Sequence, residues 1–202
     1  MPAKSETRRR LSRDDRFRQL VETAWRMLGQ EGADALSLGR LAERAGVTKP
    51  LVYDHFGTRE GLLAALFRDF DRRQAETMNA ALAASADTLE AKAEVLADAY
   101  VECVARQGRE IPGILAALAG SPEMNAIIRE HERVFTAKCR RLFAPFAGDR
   151  EPGAAALWAM LGSADALSRA AAAGDLSADE ARAELYRTIV QMVRRTWAAD
   201  DS

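Results

Sequence analysis

The chain has 202 residues, enough for one large or two small domains with a buried core. Hydrophobic residues make up 48% and charged residues 29%, a balance that excludes a disordered chain. No apolar run nears the ~18 residues that cross a bilayer, so neither a membrane helix nor a secretory leader is expected, and a cytoplasmic protein is.

The net charge of −1 is unevenly spread: residues 1–60 carry 12 Lys and Arg against 9 Asp and Glu, the rest 17 against 21. The excess is sharpest in Lys4, Arg8, Arg9, Arg10, Arg13, Arg16 and Arg18. Residues 1–12 therefore read as a flexible basic arm, suited to DNA or simply solvated. Phe17, Leu20, Val21, Ala24 and Leu28 then recur on one face of a helix over 13–30. Ser37 caps a short helix that Gly46 stops, Thr48 caps a second that Gly57 stops, and Thr58 opens a long one reaching Ala84. Leu62, Leu63, Leu66, Phe67 and Phe70 form the stripe of this long helix. Helices over 89–107, 113–119, 121–143, 154–173 and 177–197 follow, separated by Gly and Pro breaks. The expectation is an all-α fold of about nine helices: a three-helix unit over 13–58 and a helical body over 59–202, bridged by the helix that starts at 59. Cys103 and Cys139 have no short spacing, so both are read as reduced core residues, and neither a metal nor another cofactor is expected.

Residues 38–60, LGRLAERAGVTKPLVYDHFGTRE, carry the chemistry. Two short helices meet at Ala45-Gly46-Val47, where Gly46 supplies a left-handed backbone and Ala42 and Ala45 permit close approach. Leu41, Val47, Val52 and Phe56 supply a small shared core. This is the layout of a helix-turn-helix, whose second helix enters the major groove by its N-terminus. Thr48 can cap that helix and meet a phosphate or base edge, and Lys49 can reach a phosphate or guanine. Pro50 sits in the first turn, where its missing N–H costs little. Tyr53 presents a polar tip, with a core aromatic as its competing reading; His55 is open between phosphate contact and a surface or capping role. Arg59, at the start of the next helix, can hold a phosphate with the helix N–H groups.

The stretch LAERAGVTKPLVYDHFGTREGLL resembles the signature of the tetracycline-repressor-like (TetR) transcription regulators, over about residues 17–67. That resemblance implies a DNA-binding role for Arg40, Thr48, Lys49, Pro50, Tyr53, His55 and Arg59, with double-stranded DNA as partner. Two positions depart from the family pattern: Pro50-Leu51 stands where small residues are usual, and Arg59 where Lys is commoner. The change to Arg keeps the charge and alters the hydrogen-bonding fork.

In the body, Trp158, Leu161 and Leu167 among the alanines of 154–173, with Leu185, Ile189, Met192, Val193 and Trp197, suggest a four-helix homodimer face; intramolecular core is the alternative. Tyr100, Cys103, Met124, Phe135, Trp158 and Met160 are candidate walls of a site for a small apolar effector, again with core as the alternative. Arg106, Arg109 and His131 can admit an anionic group, although a solvated surface role is the favoured reading of all three. His55 and His131 are the only histidines, and no nucleophile elbow, dinucleotide or phosphate-loop pattern is present, so no enzyme is expected. The expected function is a homodimeric repressor released from a palindromic operator by a small apolar ligand. The alternative is a helical regulator or scaffold controlled by a protein partner.

Overall fold

The computed structural model describes residues 11–105, 110–148 and 150–196. Residues 1–10 of the basic arm, and Arg106, Arg109 and Trp197, lie outside them. Among the described residues there are nine α-helices and no strand: α1 (Arg13–Glu31), α2 (Leu38–Ala45), α3 (Lys49–Phe56), α4 (Arg59–Ala84), α5 (Leu89–Ala105), α6 (Glu110–Ala117), α7 (Pro122–Phe143), α8 (Ala154–Ala173) and α9 (Ala178–Arg194). None of these helices is long and apolar enough to cross a membrane.

The start signals act through side chains. Ser12, Ser37, Thr58, Ser121 and Ser177 each accept a hydrogen bond from a backbone N–H that the helix leaves unpaired. Ser177 and Glu180 close a full capping box on α9. Helix α6 departs from the expected span, beginning at Glu110 rather than Gly113. Pro112 lies in its first turn, where no intrahelical N–H is needed, so the proline is part of the helix rather than a bracket before it.

The apolar faces close two cores. The first gathers Leu20, Val21, Ala24, Met27 and Leu28 of α1, Leu38, Leu41 and Ala42 of α2, Val52 and Phe56 of α3, and Leu62, Leu63 and Leu66 of α4. Helix α6 completes it with Ile111 and Ile114, joined by Leu118 just beyond and Met124 at the start of α7. The second lies within α5, α7, α8 and α9, around Leu96, Phe135, Phe143, Met160, Leu161, Leu185, Ile189 and Val193. Packing therefore crosses the boundary expected at residue 58. Ile111, Ile114, Leu118 and Met124 add apolar side chains to the core of the small N-terminal unit.

Helices α4 and α7 bridge the cores. Their charged faces meet where His131 Nδ1 lies 2.7 Å from Asp71 Oδ1. At the far end of α4 the Lys92 ammonium donates to the Leu82 carbonyl at 2.8 Å, satisfying an orphan acceptor of the last turn. Between α1 and α4, the Trp25 indole donates to Asp69 Oδ2 at 2.8 Å, and Arg72 and Arg73 each approach the same carboxylate to 2.7 Å. Burial alone raises the pKa of Asp69, but the donors from Arg72 and Trp25 and the charge of Arg73 outweigh it and hold the carboxyl below its ordinary value.

Candidate nucleic-acid interface

The turn between α2 and α3 is set by backbone geometry. Gly46 adopts φ 65° and ψ 38°, and Val47 N–H returns to the Ala42 carbonyl at 3.0 Å, closing α2. Thr48 takes the extended cap conformation, but its side chain makes no cap bond, contrary to the capping role expected of it. With Pro50 as the second helical residue, one first-turn donor is already absent. The exposed Thr48 hydroxyl is left for an outside acceptor.

Helix α3 divides cleanly. Val52 is fully buried and Phe56 nearly so, while Lys49, Pro50, Tyr53 and Asp54 share the exposed face. Tyr53 is 53% exposed, which disposes of the core-aromatic reading. The stem of Lys49 runs over α2, its Cε 3.7 Å from where a Cβ on Gly39 would stand. His55 is half-buried beside α1, its ring 6.0 Å from Phe17 and 6.1 Å from Phe56. It shares an aromatic cluster with Phe17, which is 37% exposed and lies at the edge of the core face it was assigned to.

The two arginines serve differently from their expected role. Arg59 donates from Nε to the Leu36 carbonyl at 2.9 Å and from Nη2 to the Ala33 carbonyl at 2.7 Å. Arg40 donates from Nη1 to the Ala35 carbonyl at 2.9 Å and pairs through Nη2 with Glu31, which also takes Arg44 at 2.7 Å. Carbonyls in the α1–α2 connection have no helical partner, and the guanidinium forks satisfy them. In this conformation both side chains brace the motif rather than stand free for a phosphate.

Three features escaped the sequence reading. Asp54 stands on the exposed face of α3, 3.5 Å from Arg13 of α1. The Trp25–Asp69 bond joins residues 44 apart, which no local pattern reports. Gly61 sits against α3: a Cβ there would lie 2.1 Å from the Phe56 carbonyl oxygen.

Residues 20–66 match the family model described as bacterial regulatory proteins, tetR family. BetI of Brucella anthropi, an HTH-type transcriptional regulator, is 30% identical over 82 residues, 41% of this chain and 42% of its own. The HTH-type transcriptional activator FasR of Mycolicibacterium smegmatis is 41% identical over 63 residues, 31% of this chain and 29% of its own. The aligned segments thus span less than half of either relative. A TetR/AcrR-family regulator from Thermobifida fusca superposes over 87% of this chain and 97% of its own, with 27% identity and a TM-score of 0.64. Over residues 20–66 the chain is thus similar to the tetR family of bacterial regulatory proteins, and its fold is similar to that of a TetR/AcrR-family regulator.

The helical body sorts the remaining candidates. Tyr100 donates to Asp165 Oδ1 at 2.5 Å, and its ring meets Phe135 edge-on at 5.5 Å. Burial, then the Asp165 carboxylate, push the Tyr100 phenol far above its ordinary pKa, so it stays a donor. Phe135 also stacks on His131, with ring centroids 6.1 Å apart. Met160 is buried in the same core and Cys103 is half-buried. Met124 is elsewhere: it packs into the N-terminal core with α1, α4 and α6. Trp158 is 49% exposed, so it faces outward on α8 instead of walling a site inside the body. An open groove of about 340 Å³ does lie between α5 and α9, but it is lined by Glu90, Glu94, Asp98, Asp179, Arg182 and Tyr186 and by none of the candidates.

Of the candidate dimer residues, Leu161, Leu185, Ile189, Met192 and Val193 are at most 2% exposed. Leu167 is partly buried against the same core. They hold α8 and α9 to α5 within one chain, because large apolar side chains fill the nearest intramolecular space first. Outward on α8 remain Trp158, Ala155, Ala159, Gly162 and Ala166.

Proposed function

We propose that this protein is a dimeric DNA-binding repressor that reads a palindromic operator with α3 and leaves it when a small, fairly apolar effector enters the body. The observation that carries the DNA half is the division of α3: an apolar side fixed by Val52 and Phe56, and an exposed side bearing Lys49, Pro50 and Tyr53 with the Thr48 hydroxyl at its head. A helix presented this way fits the major groove, its cation and hydroxyls meeting phosphates and base edges. In the dimer, the outward face of α8 around Trp158 packs on its copy, small residues allowing the helices to approach. The effector's polar group is taken by the Tyr100–Asp165 pair and its apolar part by Phe135 and Met160.

Selection from random DNA tests the first claim: the purified chain enriches an inverted repeat whose half-sites lie about 34 Å apart. Lys49→Ala and Tyr53→Ala each weaken binding to it by about tenfold or more at moderate salt. Unchanged affinity in both variants would assign the reading surface elsewhere. Trp158→Arg yields a monomer in sedimentation if α8 is the dimer face; an unchanged dimer rejects that face. For the effector, a lipophilic library is screened by thermal shift, since a ligand of the folded state raises the melting temperature by mass action.

A second reading, control by a protein partner, is favoured by one observation. The groove between α5 and α9 is open and acidic, lined by four carboxylates to one guanidinium. A screen that finds no stabilising compound while a basic partner protein alters operator binding would select it.

A further inference from the structure

The exposed face of α3 carries one group that a polyanion should repel. Asp54 lies one turn beyond Pro50 and beside Tyr53, with its side chain 65% exposed. Nothing in the fold requires it there. Among the described residues its one ionic partner is Arg13 of α1 at 3.5 Å, itself 73% exposed, and a pair so open to water contributes little to stability. A carboxylate on a surface turned toward phosphates costs binding unless a base-edge donor compensates it. On the rise of an α-helix, Asp54 stands about 6 Å further along the axis than Pro50, roughly two base steps away along the groove.

Resting on the reading of α3 as the DNA-contacting helix, we propose that Asp54 is a specificity-determining residue that selects cytosine in each half-site. A carboxylate is an acceptor only. In the major groove cytosine alone offers a donor, its N4 amino group, with no acceptor of its own. Guanine shows two acceptors and thymine an acceptor and a methyl group. Adenine sets its N7 acceptor beside its N6 donor, so only one of its two groups suits a carboxylate. Arg13 has a matching part: it neutralises Asp54 in free protein and is released to a phosphate once the amino group takes over.

The experiment is half-site selection with the full chain, comparing wild type with Asp54→Ala and Asp54→Asn. Wild type is expected to prefer cytosine at one position of each half-site by about tenfold, within the range for a single base contact. Asp54→Ala levels that position while leaving the rest of the selected sequence unchanged. Asp54→Asn, which gains a donor, shifts the preference there toward adenine, whose acceptor–donor pair matches a side-chain amide. Circular dichroism melting checks that both variants fold. If Asp54→Ala binds DNA and selects the wild-type sequence at every position, Asp54 is a surface ion-pair partner and the proposal is overturned. If wild type itself enriches no sequence, the failure lies with the DNA-reading role of α3, and the proposal falls with it.

Discussion

At Gly61 a single missing methylene decides how two helices meet. A Cβ placed there would stand 2.1 Å from the Phe56 carbonyl oxygen, far inside contact distance, and the obstacle is backbone that cannot rotate aside. Gly61→Ala therefore forces α3 and α4 apart. The expected cost is about 1–3 kcal/mol, seen as a lower melting temperature, together with weaker DNA binding because α3 is displaced. An alanine variant with unchanged melting and affinity would show that the junction yields freely. Gly46 and Gly61 differ in legibility. Gly46 sits where a helix must stop, and local pattern names its role. Gly61 lies in a first helical turn and looks like a weak helix former; its reason is a carbonyl on another helix. Arg59 teaches the same lesson. Its charge near the motif was readable, but its preference for the Leu36 and Ala33 carbonyls depended on a loop conformation that no spacing encodes.

Between elements, the tie of α7 to α4 responds to pH. The hydrogen bond from His131 to Asp71 raises the imidazole pKa above its ordinary value, with burial opposing and the charge of Asp71 adding. Asp165 and Glu132 also face the ring electrostatically, and Phe135 stacks on it. A raised folded-state pKa means the charged pair stabilises fully below the unfolded value of about 6.5 and is lost as pH rises through the folded value. The difference in melting temperature between wild type and His131→Gln should thus be largest near pH 6 and shrink toward pH 8.5. A difference independent of pH would mean that His131 contributes packing alone. The helices themselves were largely legible, because Ser37, Thr58, Ser121 and Ser177 stand where unpaired N–H groups need acceptors. The start of α6 is less legible, because Pro112 has the signature of a helix breaker and yet a first turn accepts it.

Across the whole molecule, periodicity reports which side of a helix is apolar but not which neighbour covers it. Met124 reads from sequence as a residue of the body and belongs to the N-terminal core; Leu185 and Ile189 read equally as a dimer face or as core and are enclosed by their own chain. Helix α6 shows the consequence for stability. Ile114 is completely buried in the N-terminal core. Ile114→Ala should destabilise by about 2–5 kcal/mol. In hydrogen exchange the lost protection should fall on α1–α3, not on α8 and α9. Faster exchange confined to α8 and α9 would place Ile114 in the wrong core.

The involvement of Ile111, Ile114 and Leu118 in the N-terminal core also bears on recombination. A DNA-reading head is an attractive cassette to exchange between regulators, and the natural cut would be where α3 ends. Here such a transplant carries α1–α3 away from three side chains that share their core and exposes part of that core to a foreign helix. A working chimera of this protein must inherit residues 111–124 along with its head, or receive a host helix whose apolar side chains match that core in shape.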